Sequence, residues 1–167
     1  GLGARTVVFG SSAARNVPEG FGADEAFSQL AGLLAGLGPR AAELGIVLAV
    51  EPLRRQESNI INRLGDALAL AAAAGHPSVG VLVDSYHLEA EAEDVSAVSR
   101  AGPAVRHVHV AEGEARRFPS EPGRLEPLFG ELKAIGYGGR CSIEAYTGDF
   151  AADARASLRL LRDLAGG

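Results

Sequence analysis

Short apolar segments alternate with longer Ala- and Leu-rich segments along the chain. Each short segment is nearly continuously apolar and rich in β-branched residues, which is typical of parallel strands covered on both faces. The pattern predicts five strands, at Thr6–Phe9, Ile46–Glu51, Val79–Asp84, Val105–Val110 and Cys141–Ala145. The segments between and after them predict helices over about 24–43, 63–74, 91–101, 125–135 and 151–164.

Repeated β–α units indicate a parallel sheet, either doubly wound or closed into a barrel. A phosphate-cradling loop is not indicated, because neither G-x-G-x-x-G nor G-x-x-x-x-G-K-[ST] occurs in the sequence. No low-complexity linker divides the 167 residues, so we expect a single domain over 1–167. The pattern predicts an α/β fold without deciding whether the sheet closes.

Composition and charge exclude several classes of function. The net charge is −5 and the arginines are scattered, whereas nucleic-acid binders usually present a basic face. The longest apolar stretches are well below the roughly 18 residues of a membrane span, and the N-terminus does not resemble a signal peptide. The single cysteine, Cys141, excludes an internal disulfide framework and suits a reducing compartment. We therefore expect a cytoplasmic protein that binds neither nucleic acid nor membranes.

An acid or a histidine falls near the end of four successive predicted strands. Glu51 and Asp84 end the second and third strands, and His109 and Glu144 lie late in the fourth and fifth. The C-terminal ends of parallel strands share one side of a sheet, so these side chains should converge on the rim where α/β barrels build active sites. Three buried carboxylates without a cation cost several kcal/mol or become protonated. The four residues therefore predict a site for one divalent metal ion, although each acid alone also fits a helix cap or a surface ion pair.

This oxygen-rich ligand set suits Mn²⁺, Mg²⁺ or Co²⁺ better than a thiolate-selected metal, with Zn²⁺ as an alternative.

His87 follows the third strand and either donates to a substrate oxygen or is an ordinary loop histidine. His107 shares a face with His109 by the two-residue strand repeat and should be a hydrogen-bonded core residue. His76, in a helix-to-strand turn, is predicted to lie on the surface.

Four ordered blocks contain these residues: Ala-Val-Glu-Pro-Leu at 49–53, Val-Asp-Ser-Tyr-His at 83–87, His-Val-His-Val-Ala-Glu at 107–112, and Gly-Tyr-x-Gly followed by Ser-Ile-Glu at 136–144. They resemble the xylose isomerase-like barrel superfamily, and within it the sugar phosphate isomerase/epimerase branch that includes the ketose 3-epimerases. Phe9-Gly10 and Arg15-Asn16-Val17-Pro18 resemble that family's third strand and following loop. The resemblance implies a (β/α)₈ TIM barrel of which about six β/α units, strands 3 to 8, are present. A complete barrel runs to about 250 residues.

The resemblance also implies roles for particular residues. Glu51, Asp84, His109 and Glu144 would hold the metal, and Glu51 and Glu144 would exchange protons with opposite sides of a substrate carbon. The residues implied to bind substrate are His87, Glu57 and Arg116. Arg117 is an alternative to Arg116, because the loop has one residue more than is usual in the family. Glu57 and both arginines are otherwise ordinary solvated loop charges.

The activity implied is that of a divalent-metal-dependent sugar isomerase or epimerase that works through an enediolate, with Mn²⁺ as the first expectation. The alternatives are a dehydratase of the inosose or dehydroshikimate type and a non-catalytic metal- or sugar-binding fragment. An AP-endonuclease activity is disfavoured, because four histidines and an acidic charge fit a trinuclear metal cluster poorly. The missing units would leave an apolar sheet edge, to be covered by a longer native chain, by another chain or by a homo-oligomer.

Overall fold

The computed structural model describes residues 3–123 and 125–166. Five strands form one sheet: β1 Thr6–Phe9, β2 Val47–Val50, β3 Val79–Asp84, β4 Val105–Val110 and β5 Cys141–Ile143. The helices are α1 Ser12–Arg15, α2 Ala23–Glu43, α3 Leu64–Ala74, α4 Ser85–Ala90, α5 Ala97–Ala101, α6 Glu126–Ala134 and α7 Phe150–Ala165. A 3-10 turn, Gly102–Ala104, leads into β4.

The strands lie in the order β1-β2-β3-β4-β5, and every neighbouring pair is parallel. A doubly wound sheet reverses its strand order at a switch point, whereas a barrel wall adds each new strand on the same side. The sheet is therefore of the barrel type. The described residues hold five β/α units, one fewer than the six expected.

Three of the five strands have the predicted bounds, and β2 and β5 are shorter by one or two residues at their ends. The helix predicted over 91–101 is wrong in its first part, because only Ala97–Ala101 is helical there, as α5, and the separate helix α4 ends at Ala90. The Asp84 carboxylate accepts the N–H of Tyr86 at 2.8 Å, so that α4 begins directly at the end of β3. Ala92 has a φ of 46°, a left-handed conformation that does not continue an α-helix.

Alternate strand residues pack against the helices and build the main apolar core. These are Leu48 and Val50 on β2, Val79, Val81 and Val83 on β3, Val105, Val108 and Val110 on β4, and Cys141 and Ile143 on β5. All six residues of β3 are buried, which fits a central strand covered on both faces. On β2, β3 and β5 the residues between them lie on the opposite face, towards the barrel interior.

A β-bulge at Arg106 gives the fourth strand its orientation. Val81 pairs with Val105, but the next residue, Leu82, pairs with His107, so Arg106 is an extra residue in β4. One extra residue shifts every following side chain to the other face of a sheet. His107 and His109 therefore face the interior instead of the helices.

Glycine in β3 accommodates this bulge. A Cβ added to Gly80 would lie 2.4 Å from Cγ of Arg106 and 2.6 Å from the carbonyl oxygen of Ala104. Residues 104–106 therefore approach the backbone of Gly80 so closely that a Cβ atom at this position would clash with them.

Strand β1 lies at one edge of the sheet, where Val7 and Val8 are 45% and 38% exposed. Leu33 and Leu37 on the neighbouring helix α2 are 49% and 43% exposed. The described residues thus leave an apolar edge of the kind expected for an incomplete barrel.

None of the described helices is both long and apolar enough to cross a membrane.

Helix α2 contains a close contact with the turn before β3. A Cβ added to Gly38 would lie 2.4 Å from Cγ of His76, whereas a Cβ added to Gly36 would meet no atom within 4 Å. His76 is half-buried, and its Nδ1 accepts the N–H of Ser78 at 3.1 Å, so it is a packing residue and not the surface residue predicted.

Two alanine substitutions in α2 should therefore have opposite effects. Gly36→Ala should stabilise the protein by about 0.5 to 1 kcal/mol, because alanine favours an exposed helix position. Gly38→Ala should destabilise it by about 1 to 3 kcal/mol, because the helix must move away from His76. Urea unfolding of both variants measures this difference, and equal stabilisation by the two substitutions would contradict the close packing.

Candidate metal centre and active site

The four residues predicted to bind metal come together at the C-terminal rim of the sheet. Glu51 follows β2, Asp84 ends β3, His109 lies on β4 and Glu144 follows β5. Asp84 and His109 are direct partners in the parallel register. One ligand atom from each of the four side chains lies within 4.8 Å of all the others.

The three carboxylates surround one imidazole nitrogen. Nδ1 of His109 is 2.9 Å from Oε1 of Glu51, 2.8 Å from Oε2 of Glu144 and 3.9 Å from Oδ2 of Asp84. Glu51, Asp84 and His109 are buried, whereas the side chain of Glu144 is 47% exposed. The centre is therefore closed by β2, β3 and β4 and is accessible from the side of β5.

The electrostatics show how strongly this cluster favours a cation. Burial, together with the charge of Glu51, raises the pKa of Asp84 to about 6. Burial alone would lower the pKa of His109, but its hydrogen bonds to Glu144 and Glu51 and their charges raise it to about 9. The hydrogen bond to His109 lowers the pKa of Glu144. A protonated His109 thus offsets the negative charge of the acids.

The donor set fits a divalent metal ion. Three carboxylate oxygens and one imidazole nitrogen suit Mn²⁺, Mg²⁺, Co²⁺ or Zn²⁺, and bonds of roughly 2.0 to 2.4 Å can connect ligand atoms at this separation. Metal binding would require deprotonated ligands and would release the proton of His109.

His87 is buried beside the centre with one free hydrogen-bond donor. Its Nδ1 accepts the backbone N–H of Arg54 at 3.1 Å. Burial lowers its pKa to about 4, so the ring is neutral near pH 7 and carries its proton on Nε2. Nε2 has no hydrogen-bond partner and lies 3.8 Å from Oδ2 of Asp84, so it can donate to an oxygen placed at the centre.

Arg116 reaches the centre from the loop after β4. Its Nη2 lies 2.6 Å from Oε2 of Glu144 and 3.4 Å from Oδ2 of Asp84. Its φ of 48° is uncommon for a residue other than glycine and often marks functional sites. Arg117 is exposed and lines an open cleft of about 1040 Å³ between the loops that follow β4 and β5. The structure therefore brings Arg116, and not Arg117, to the four converging residues.

Two residues with no role in the sequence analysis organise the surroundings of the centre. The buried ring of Tyr86 lies 4.8 Å from the guanidinium carbon of Arg54 and 4.9 Å from that of Arg116. Arg54 also forms an ion pair with Glu57 at 2.7 Å. Glu57 is therefore linked to the surroundings of the centre by Arg54, which packs on Tyr86. The sequence signals were the positions of Arg54 and Tyr86 within three residues of Glu51 and Asp84.

Gly10 makes the position of Glu51 sterically feasible. A Cβ at Gly10 would lie 2.0 Å from Oε2 of Glu51, so this carboxylate packs directly on the backbone after β1.

His107 lies beside His109, with ring centroids 5.1 Å apart, and its Nε2 is 2.9 Å from Oγ of Ser142. This agrees with the hydrogen-bonded core histidine that the strand repeat predicts.

The stability of the metal-free protein should fall as pH rises from about 6.5 to about 9. The folded-state pKa of His109, about 9, exceeds its unfolded value of about 6.5. The folded state therefore binds this proton more tightly. The resulting stabilisation is complete below pH 6.5 and is lost as pH passes through 9.

Thermal unfolding of EDTA-treated protein across this range measures the effect. His109→Asn should abolish the pH dependence, whereas the matched variant His76→Asn should retain it. An unfolding temperature that rises from pH 6.5 to 9 in the unsubstituted protein would contradict the geometry around His109.

Comparison with known proteins shows the family to which the chain belongs. Residues 1–164 match the family described as xylose isomerase-like TIM barrel. The ketose 3-epimerase of Arthrobacter globiformis is 30% identical over 109 residues, which cover 65% of this chain and 38% of the relative. The D-psicose 3-epimerase of Agrobacterium fabrum is 30% identical over 138 residues, which cover 79% of this chain and 46% of the relative.

Solved structures show the same fold. A D-psicose 3-epimerase crystallised in the presence of D-fructose superimposes with a TM-score of 0.83 at 23% identity, covering 98% of this chain and 65% of that chain. The structure of the 3-keto-D-glucoside 4-epimerase of Escherichia coli superimposes with a TM-score of 0.77 at 27% identity, covering 87% of this chain and 57% of that chain.

The chain spans less than half the length of these two curated relatives and 65% of the psicose epimerase structure. This last share agrees with five of the eight units of a complete barrel. The fold is thus an incomplete (β/α)₈ barrel, and the chain belongs to the xylose isomerase-like TIM barrel family.

Proposed function

We propose that this protein is a divalent-metal-dependent sugar isomerase or epimerase that transfers a proton next to a carbonyl group through an enediolate. The observation that carries the proposal is the approach of Glu51 and Glu144 to the same nitrogen of His109, at 2.9 and 2.8 Å. These acids follow β2 and β5, which are separated by two strands. Their carboxylates therefore approach the centre from different parts of the rim, as an acid and a base acting on one substrate carbon require.

Glu51, Asp84, His109 and Glu144 would hold one metal ion, with Mn²⁺ as the first choice and Mg²⁺, Co²⁺ or Zn²⁺ as alternatives. When bound, the ion supplies Lewis-acid polarisation of the substrate carbonyl, which makes the adjacent C–H more acidic. One glutamate removes this proton and the other returns a proton to the enediolate. Return to the opposite face gives an epimer, and return to the neighbouring carbon gives an isomer.

Three further residues would orient the substrate. The free Nε2–H of His87 would donate to a substrate oxygen, and Arg116 would bind a second oxygen beside Glu144. Glu57, positioned by Arg54, would accept a hydroxyl group. Sugar epimerases among the relatives support a small sugar or sugar-like substrate.

The same reasoning gives the setting in which the site would work. We propose one domain over 1–167, of which residues 1, 2, 124 and 167 lie outside the described part. The substrate is its expected partner, in the cytoplasm, without nucleic acid or membrane. A homo-oligomer would be one way to cover the exposed edge at β1.

Metal binding should stabilise the protein. At 100 times its dissociation constant, Mn²⁺ should add about 2.7 kcal/mol, or about 5 to 10 °C in unfolding temperature. Asp84→Ala should abolish the shift, because it removes a buried ligand, whereas Asp163→Ala on an exposed face of α7 should retain it. The absence of a shift in cooperatively folded, unsubstituted protein would contradict the metal centre.

Turnover should depend on both glutamates. Glu51→Gln and Glu144→Gln should each lower the rate of ketose epimerisation by at least about 100-fold, because the amide cannot accept or return the proton. The exposed Glu114→Gln is the matched control and should leave the rate unchanged. Metal binding without turnover on any ketose would instead indicate a metal- or sugar-binding fragment, and full activity in either variant would exclude its proposed role.

A further inference from the structure

Arg15 is a buried arginine whose guanidinium is only partly hydrogen-bonded. It is the last residue of helix α1 and is only 5% exposed. Nη1 donates to the carbonyl oxygen of Phe9 at 3.0 Å. Nε and Nη2 are buried and have no hydrogen-bond partner. The great majority of buried donors in native proteins are hydrogen-bonded, so two donor nitrogens without a partner on one guanidinium require an explanation.

This guanidinium lies at the rim that carries the metal centre. The carbonyl oxygen of Phe9 accepts hydrogen bonds from both Nη1 of Arg15 and the backbone N–H of Glu51, at 3.0 and 3.1 Å. The next residue, Gly10, packs against the carboxylate of Glu51. Arg15 is thus fixed beside Glu51, at the C-terminal ends of β1 and β2.

Arg15 differs from the other two arginines near the centre, Arg54 and Arg116, in its ion pairing. Arg54 pairs with Glu57 at 2.7 Å, and Arg116 pairs with Glu144 at 2.6 Å. No ion pair within 4.0 Å joins Arg15 to any acid in the described ranges. Burial lowers its pKa to about 10, against the opposing charge of Glu51, so the group remains charged near pH 7.

Free donors of a buried guanidinium have a specific chemical preference. Nε and Nη2 form the edge that binds two oxygens of one planar or tetrahedral anion. A charge that is buried and unpaired destabilises the folded protein, whereas an anion bound at this edge offsets that destabilisation. Carboxylate and phosphate groups are the two common anions with this geometry.

We propose that Arg15 binds an anionic group of the substrate, a carboxylate or a phosphate, and that the protein prefers acidic ketoses to neutral ones. This inference rests on the proposed function for the reaction itself. The bound group would lie on the β1 side of the centre, next to Glu51. Nε and Nη2 of Arg15 are covered in this structure, so an anion would reach them only after an outward movement of the segment 10–16, most of which is exposed.

The test compares three ketoses with the Mn²⁺-loaded protein: D-fructose, D-fructose 6-phosphate and the hexuronate D-fructuronate. For each we would measure kcat, KM and the shift in unfolding temperature that the sugar produces. At least one charged ketose should bind about 10- to 100-fold more tightly than D-fructose, the range expected for hydrogen bonds to a charged group. The phosphate and the carboxylate arms identify which anion the site accepts.

Substitutions then assign the preference to Arg15. Arg15→Gln should raise KM for the preferred charged ketose by about 10- to 100-fold and change that for D-fructose by less than about threefold. Arg15→Lys, which keeps the charge but loses the paired donors, should recover part of the preference. Arg5→Gln removes an exposed arginine at the opposite end of β1 and should have no effect.

Each outcome decides the proposal. A wild-type protein that binds D-fructose as tightly as both charged ketoses overturns it, and so does an equal loss for all three sugars in Arg15→Gln. If both Arg15 variants fail to fold, the wild-type comparison decides alone. Arg15-dependent stabilisation by a charged ketose without any turnover would support the anion site while contradicting the proposed function.

Discussion

The convergence of three carboxylates on one nitrogen of His109 is the interaction on which the rest of the site depends. Like charges buried this closely repel one another and lose their hydration, so the arrangement requires a cation. In the metal-free protein a proton on His109 supplies it, as the raised pKa of this histidine shows. A divalent ion supplies more charge at the same point. The parallel sheet has to hold the acids in place against their repulsion.

Strand geometry explains how the sheet does so. Glu51 and Asp84 lie at or just beyond the ends of largely buried strands, and Glu144 follows the half-buried β5. Ladder hydrogen bonds to the neighbouring strands fix the backbones of these acids. The fourth strand joins them only because of the bulge at Arg106, which turns His109 from the helix-packed face towards the interior. Gly80 in turn allows the bulged backbone to approach β3. A local irregularity is therefore part of the site and is not a defect of the fold.

Around this centre, charged loop residues are held by packing. Tyr86 lies against both Arg54 and Arg116, and each of these arginines pairs with a nearby glutamate. Arg15 differs because its buried donors have no protein acceptor. A bound metal ion would largely balance the charges of the acids with those of Arg54 and Arg116, and Arg15 would then be the group that favours an anionic substrate. Specificity would then come from the β1 side of the rim, and proton transfer from the residues after β2 and β5.

The sequence by itself determined the α/β alternation, three of the five strand bounds and the four residues that meet at the rim. This was possible because burial on both strand faces gives continuous apolar runs, and because parallel strands end on the same side of the sheet. Only the tertiary structure decided the sequential strand order, the break between α4 and α5, the bulge at Arg106 and the choice of Arg116 over Arg117. It also revealed the free donors of Arg15. These features depend on contacts between residues distant in sequence, for which local hydrophobic patterns carry no signal.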